Sequence, residues 1–229
     1  MYNQNKPEMA KLMNDGMSSQ AHISNANRHS RLCKQNKGAE VLDKAIAPKI
    51  SILKEKNAET LSLKETRDAA YDDLVFNDGV LDDSIRNLAD AARQYDRNNP
   101  GRPVFQTLFP DGKYSNIVRA SFAKEADMAE QIAERLKSLG EEHPLAVHLE
   151  PLTTAIANVR TCLNNLQEAN TNVKMAVANE ELAQAELRKQ YEFNYLDAVK
   201  MFGKKYANRL FPQAATRAKV EQEISTSDE

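Results

Sequence analysis

Two long stretches of the chain carry apolar residues at alternating steps of three and four. The first begins near Ala39 and ends near Asp96, and the second runs from Pro151 to Leu210. This spacing puts apolar side chains on one face of an α-helix and is typical of coiled coils. It predicts two helices of about 60 residues, which at about 1.5 Å per residue are about 90 Å long. The predicted inner faces contain Leu42, Ile46, Ile50, Leu53, Leu74, Leu81, Ile85, Leu88, Ala92 and Tyr95, and Leu152, Ile156, Val159, Leu163, Leu166, Val173, Val177, Leu187, Tyr191 and Tyr195.

The connection between the long helices has a pattern of its own. The Asn-Pro-Gly sequence at 99–101 predicts a firm helix stop. The loop over 104–109 is too apolar to lie in water, so we expect it to cover one end of a bundle. A shorter helix is predicted from Ser115, which can cap it, to about Leu139, with Gly140 beyond its end.

Helices of matching length with such a connection most simply pack as an antiparallel pair. The predicted fold class is therefore all-α: an elongated antiparallel helical bundle, or coiled-coil hairpin, with two long helices and one shorter helix over residues 38–212. Each long helix can cover only one face of the other, so apolar surface remains and self-association is expected. A domain-swapped dimer would bury the same faces and stays an alternative.

The two ends of the chain show no such pattern. Residues 1–37 are rich in Asn, Ser and Gln, and their Lys and Arg residues face only Glu8 and Asp15 as acids. So few apolar side chains cannot offset the entropy lost on folding. We therefore predict a flexible basic arm at 1–37 and a flexible C-terminal tail at 213–229.

Composition favours helices over strands. The 229 residues include 7 glycines and 8 prolines, aromatic residues make up 6% and charged residues 28%. These values are typical of long solvated helices with a narrow apolar stripe, and they disfavour all-β and doubly wound folds. The formal net charge of -2 gives no overall attraction to nucleic acid or anionic membranes, so any such attraction has to be local.

Cysteine content and hydropathy bear on the compartment. The first residues lack the apolar run of a signal peptide, and no apolar segment reaches the roughly 18 residues needed to span a membrane. Cys33 and Cys162 are too few and too isolated for a disulfide framework. We therefore expect a cytoplasmic protein that does not insert into membranes.

Known catalytic and cofactor motifs are not found in the sequence, including phosphate-binding loops, dinucleotide fingerprints and nucleophile elbows. His29 and Cys33 have i, i+4 spacing but lack the further ligands that a zinc site needs. The histidines and glutamates of 141–150 lie beside two prolines in a connection, which is a poor metal scaffold. Cys162 lies within an apolar stripe and is expected to pack there. We expect no cofactor, no metal and no enzymatic activity.

Charge is segregated along the chain. A basic segment over 200–219 contains no acid and forms a candidate partner-binding tip, although cations at a helix end also interact favourably with the helix dipole alone. An acidic segment over 68–83 contains no base and lacks the spacing of a calcium loop, so it predicts a solvated face and a candidate counter-surface. The basic residues are Lys200, Lys204, Lys205, Arg209, Arg217 and Lys219, and the acidic residues are Asp68, Asp72, Asp73, Asp78, Asp82 and Asp83.

Uncharged residues add two expectations. Asn170 falls on a predicted core position, where a buried amide would set the register or oligomeric state of a coiled coil, and a solvated position is the alternative. Phe202, Tyr206 and Phe211 are interleaved with the basic residues and are predicted to face the core instead of stacking on bases.

Two functional hypotheses follow. The first is a non-enzymatic structural or scaffolding subunit that self-associates through its helical-bundle surfaces, as a homo-oligomer or with an assembly partner. The alternative is an adaptor that binds nucleic acid or an acidic protein through the basic N-terminal arm and the basic helix end. In an antiparallel pair these two basic segments meet at one end. Nucleic acid is not the favoured partner, because the chain as a whole is slightly acidic.

Overall fold

A computed structural model of the chain describes residues 12–101 and 103–211. Within these ranges the chain forms α-helices and short 3-10 turns and no β-strand, which confirms the predicted all-α class. The helices are α1 (Ser19–Gln35), α2 (Glu40–Asn98), α3 (Phe105–Leu108), α4 (Phe122–Ser138), α5 (Leu149–Phe202) and α6 (Lys204–Ala207).

The long helices α2 and α5 pack against each other and run antiparallel. The Asn194 amide donates to the Leu42 carbonyl oxygen at 2.8 Å, and Lys49 Nζ lies 3.0 Å from Glu186 Oε2. Residue numbers in α5 thus fall as those in α2 rise. The predicted hairpin of two long helices and one shorter helix is confirmed.

Contacts divide the chain into two compact units, to which α2 and α5 both contribute. Among the described residues, unit 1 comprises 12–62 and 174–211, and unit 2 comprises 63–101 and 103–173. The core of unit 1 includes Ile23, Ala26, Cys33, Leu42, Ile46, Ile50, Leu53, Leu187, Tyr191, Ala198, Leu210 and Phe211. The core of unit 2 includes Leu74, Leu81, Ile85, Leu88, Leu108, Phe109, Ile132, Leu136, Leu152, Ile156 and Val159.

Helix α1 lies within the segment that the sequence assigns to a flexible arm, and this expectation is wrong for Ser19–Gln35. One face of α1 is buried in unit 1 although it carries polar residues. The hydroxyl of Ser30 donates to Asp43 Oδ1 at 2.6 Å, and Gln184 Nε2 donates to Ser19 Oγ at 2.6 Å. These hydrogen bonds offset the cost of burying polar groups, and hydropathy does not reveal them. Residues 1–11 lie outside the described residues.

Helix α5 ends at Phe202, not near Leu210 as predicted. Gly203 has a φ of 77°, which glycine adopts readily, and the chain turns there into α6 and a 3-10 turn over Asn208–Leu210. Helix α4 is also shorter than predicted, because residues 114–116 form a 3-10 turn ahead of it. The predicted tail at 213–229 lies outside the described residues.

The connection after α2 contributes buried apolar residues to the unit 2 core, as expected of a loop that is too apolar to lie in water. Leu108 and Phe109 are buried. The carboxylate of Asp96 accepts hydrogen bonds from the backbone N–H groups of Val104 at 2.7 Å and Phe105 at 3.1 Å. These bonds satisfy free donors at the start of α3 and hold the apolar loop in place.

Candidate functional site

The basic residues near the end of α5 come together with a second basic segment in unit 1. Tyr206 Oη donates to Asn36 Oδ1 at 2.9 Å, which joins α6 to the residue that follows α1. The ring of Phe202 lies against Gly38. The segments 34–38 and 202–206 are therefore neighbours in unit 1. We call the exposed cations in and beside them the basic end and define it as Lys34, Lys37, Lys200, Lys204, Lys205 and Arg209.

Most cations of the basic end are without an ion pair among the residues that the structure describes. Lys34 Nζ lies 3.7 Å from Asp43 and Lys200 Nζ 3.3 Å from Asp197, both at exposed positions. The remaining four members form no ion pair with another described residue and are exposed. Exposed cations on neighbouring segments attract an anionic surface together, and salt weakens this attraction. The predicted residues Arg217 and Lys219 lie outside the described residues.

The aromatic residues of this segment face the core, as predicted. Phe211 is buried, and its ring meets that of Tyr191 at a centroid distance of 5.0 Å. Phe202 and Tyr206 are half-buried and pack against the unit 1 core. Base stacking on these rings would require them to leave the core, so the basic end offers charge and not aromatic platforms.

The six predicted acidic residues of unit 2 do not form one surface. Asp68, Asp72, Asp73 and Asp83 are exposed, and we call these four, together with Phe76, the acidic face. Two of them are partly neutralised, because Asp68 pairs with Arg67 and Asp83 with Arg86. Phe76 is 72% exposed beside Asp72 and Asp73, which places a large apolar side chain among carboxylates.

The other two aspartates, Asp78 and Asp82, are half-buried and form a carboxyl cluster with the buried Glu125 of α4. Asp78 and Asp82 each have one buried carboxylate oxygen without a hydrogen-bond partner, and so has Glu125. Glu125 is only 1% exposed. Burial, the Asp78 charge and a hydrogen bond with Asp82 raise the pKa of Glu125 to about 8. Arg86, 2.6 Å from Asp82 Oδ2, is the cation at the edge of the cluster.

The sequence contains a partial signal for this cluster. Asp78 interrupts the apolar spacing of the first long helix, and Glu125 lies three residues after Phe122 on the inner face of α4. Considered alone, each of these two positions has the sequence pattern of an ordinary charged residue. Only the packing of α4 on α2 brings the carboxyl groups together.

A second buried polar cluster lies in unit 1 around His29. Its ring nitrogens contact the Leu210 carbonyl oxygen at 2.8 Å and the Asn194 amide at 2.9 Å. Cys33 Sγ lies 3.6 Å from the ring. The i, i+4 pair of His29 and Cys33 thus belongs to the core. The sequence around Asn194 does not reveal that its side chain binds His29 and Leu42.

Other candidate residues take ordinary positions. Asn170 is exposed and the neighbouring Ala169 is buried, so the burial that a register-setting role requires is missing within its unit. Cys162 is half-buried, and Asn77 Nδ2 lies 3.5 Å from its sulfur. Over the described ranges, no group of three or more His, Cys, Asp or Glu side chains is placed to hold a metal ion. No described helix has the length and apolarity to span a membrane.

An apolar stripe on α5 lies exposed within unit 1. Met175, Leu182, Phe193 and Leu196 are 59, 67, 47 and 54% exposed. They recur at steps that place them on one side of the helix. Such a face is typical of a helix that another surface covers.

Comparisons of the chain with protein-family models, with curated protein sequences and with solved structures found no match.

Proposed function

We propose that the protein is a non-enzymatic structural subunit that self-associates, with the basic end of one copy bound to the acidic face of the next. The observation that carries this proposal is the presence of two exposed surfaces of opposite charge in different units of the same chain. Lys204 and Lys205 have no ion pair among the described residues, and Asp72 and Asp73 surround an exposed Phe76.

The two surfaces differ, so a contact between them is heterologous. Such contacts produce a ring when the rotation between copies closes, and a filament when it does not. The exposed stripe on α5 can bury further apolar area in the assembled state, at roughly 25 cal/mol per Å². Cys33 and Cys162 are free thiols, and we place this role in the cytoplasm, where thiols stay reduced.

Charge reversal tests the pairing directly. Alone, K204E/K205E has two carboxylates within its basic end and D72K/D73K has two ammonium groups within its acidic face. The attraction between the two surfaces is therefore much weaker, and each variant is expected to remain monomeric by size-exclusion chromatography with light scattering. Mixed at low salt, the two variants are expected to assemble. The unaltered basic end of D72K/D73K can bind the unaltered acidic face of K204E/K205E, and the introduced glutamates can pair with the introduced lysines. Salt near 1 M should dissolve the assembly, since the Debye length then falls to about 3 Å.

A matched control separates specific pairing from attraction by net charge. K54E/K64E changes the net charge as much as K204E/K205E does, at two exposed lysines outside the basic end. Because it keeps both the basic end and the acidic face, K54E/K64E should self-associate alone as wild type does, whereas K204E/K205E should not. A wild-type protein that stays monomeric at high concentration and low salt would contradict self-association.

The adaptor hypothesis has a distinct outcome in the same variants. The basic end offers exposed cations to an anionic ligand as well as to the acidic face. Binding of wild-type protein to a duplex DNA or to an acidic peptide, lost in K204E/K205E and kept in D72K/D73K, would favour the adaptor over the self-associating subunit.

A further inference from the structure

The cluster around His29 connects α1, α2, α5 and the segment that follows α6. His29 is fully buried on α1. Its Nδ1 lies 2.8 Å from the carbonyl oxygen of Leu210, and its Nε2 lies 2.9 Å from Nδ2 of Asn194. The Asn194 amide also donates to the Leu42 carbonyl oxygen at 2.8 Å. One imidazole thus links the segment that carries Lys204, Lys205 and Arg209 to the rest of unit 1.

These partners determine the protonation state of the ring. A carbonyl oxygen only accepts, so Nδ1 carries the hydrogen and donates it to Leu210. The Asn194 amide donates to Leu42, while its Oδ1 accepts from Gln190 Nε2 at 3.0 Å. His29 Nε2 is therefore an acceptor, and the imidazole is neutral. A proton added at Nε2 would face the Asn194 N–H group, and turning that amide would deprive the Leu42 carbonyl of its donor.

The surroundings give little support to a positive charge. On α1, burial raises the pKa of the Cys33 thiol to about 12, so it is neutral. On α5, Tyr191 contacts the ring edge-on and is uncharged, and Phe211 stacks on it at 4.1 Å. On α2, Asp43 is the facing carboxylate, and Ser30 and Lys34 already bind it. Burial lowers the pKa of His29 by more than the Leu210 carbonyl and Asp43 raise it.

We infer that His29 is a proton-sensitive latch, which holds the segment 203–211 on α1 while it is neutral and releases that segment when it gains a proton. The released imidazolium reaches water only if the Leu210–Phe211 cover moves away. Hydrogen bonds from His29 to Leu210 and from Tyr206 to Asn36 hold this segment to α1 and its following residue. A proton at Nε2 leaves the Nδ1–H bond to Leu210 in place, but it removes the acceptor of the Asn194 amide and puts an unsolvated charge in the core, which opening of the segment relieves. Acidic pH would then separate Lys204, Lys205 and Arg209 from the cations on and beside α1. The effect of this release on self-association rests on the proposed function, whereas the release itself does not.

Amide hydrogen exchange of the full chain tests the latch. Peptides that cover 203–211 are followed by mass spectrometry from about pH 7.5 to pH 4.5, with rates corrected for intrinsic exchange. The opened state binds a proton with the ordinary histidine pKa of 6.5, and the closed state binds it less readily. The opening constant should therefore increase about tenfold per pH unit below 6.5, until the pKa of the closed state is reached. A flat profile would overturn the inference.

Two variants identify the titrating group. Asn194→Asp puts a carboxylate beside Nε2 that can accept a hydrogen bond from the imidazolium, so its opening should become flat or decrease toward acid pH. His22 is also buried on α1, and burial lowers its pKa as well. His22→Gln should keep the slope of about tenfold per pH unit. An Asn194→Asp profile parallel to wild type, or loss of the slope in His22→Gln, would contradict the assignment to His29.

A spectroscopic measurement on the wild-type chain keeps the test valid if Asn194→Asp does not fold. The ¹⁵N shifts of His29 should show a hydrogen on Nδ1 at neutral pH and should titrate together with the opening of 203–211. Titration near pH 6.5 without opening would overturn the latch. Light scattering over the same pH range gives a separate answer: opening without loss of assembly would contradict the role of the basic end and leave the latch intact.

Discussion

Glu125→Gln is expected to stabilise unit 2 at neutral and alkaline pH. The Glu125 carboxyl is 1% exposed, and its pKa is raised to about 8, chiefly by burial and then by the Asp78 charge. The folded chain therefore keeps a proton that the unfolded chain releases near pH 4.5. The free energy of unfolding must fall as pH rises from about 4.5 to about 8, because the unfolded state binds fewer protons across that window.

The size of the effect follows from the same two values. The pKa difference of about 3.5 units, at about 1.4 kcal/mol per unit, gives an upper limit of about 5 kcal/mol for the free energy of unfolding that is lost above pH 8. Glutamine resembles the protonated acid in shape and can donate to Asp82, but it leaves the charges of Asp78 and Asp82 in place. We therefore expect a gain of about 2 to 4 kcal/mol at pH 8 to 9 and little change at pH 4.5.

Urea unfolding followed by circular dichroism between pH 4.5 and pH 9 measures this gain. Reaction of the Cys162 thiol, which lies in unit 2, assigns the transition to that unit. Glu134→Gln is the matched control, since Glu134 is exposed on the same helix, and its unfolding should resemble wild type at every pH. A folded Glu125→Gln variant with the stability and pH dependence of wild type would refute the buried-proton argument.

Two further predictions concern unit 1. Pro48 lies exposed inside α2, where it has no N–H group to donate to the helix. Pro48→Ala should therefore raise the free energy of unfolding by about 2 kcal/mol, as measured by chemical denaturation. A loss of stability would mean that the proline is needed for packing. Cys33 is fully buried and the pKa of its thiol is raised to about 12. In native protein at pH 8, Cys162 should therefore react with a thiol reagent at least about tenfold faster than Cys33, as measured by peptide mapping. Equal rates would mean that α1 opens readily.

The long helices could be predicted because their signal is local and repeated. Leu81, Ile85 and Leu88 follow helical spacing in the sequence, and all three are buried. Every turn of such a helix repeats the same information, so a single exception such as Asp78 does not hide the pattern. Helix ends depend on fewer residues. Gly203 alone ends α5, within a stretch whose apolar spacing continues to Leu210.

Helix α1 could not be predicted from hydropathy. Its buried face includes His22, His29 and Ser30, which a solvated arm would also contain. Their burial is favourable only because distant groups bind them, such as Asp43 on α2 and the Leu210 carbonyl oxygen. No local property of residues 19–35 contains that information.

The sequence by itself determined the helical class, the two long helices and the separation of positive from negative segments, and it made antiparallel pairing of the helices the simplest arrangement. Tertiary structure alone decided which charges are exposed, as Lys204 and Asp72 are, and which carboxyl groups come together away from water, as the half-buried Asp78 and the buried Glu125 do. The physical reason is the separation in sequence over which each interaction acts. Helical periodicity arises between residues three and four apart, whereas the solvation and pKa of a charge depend on groups that only the packing of distant helices brings within a few ångströms.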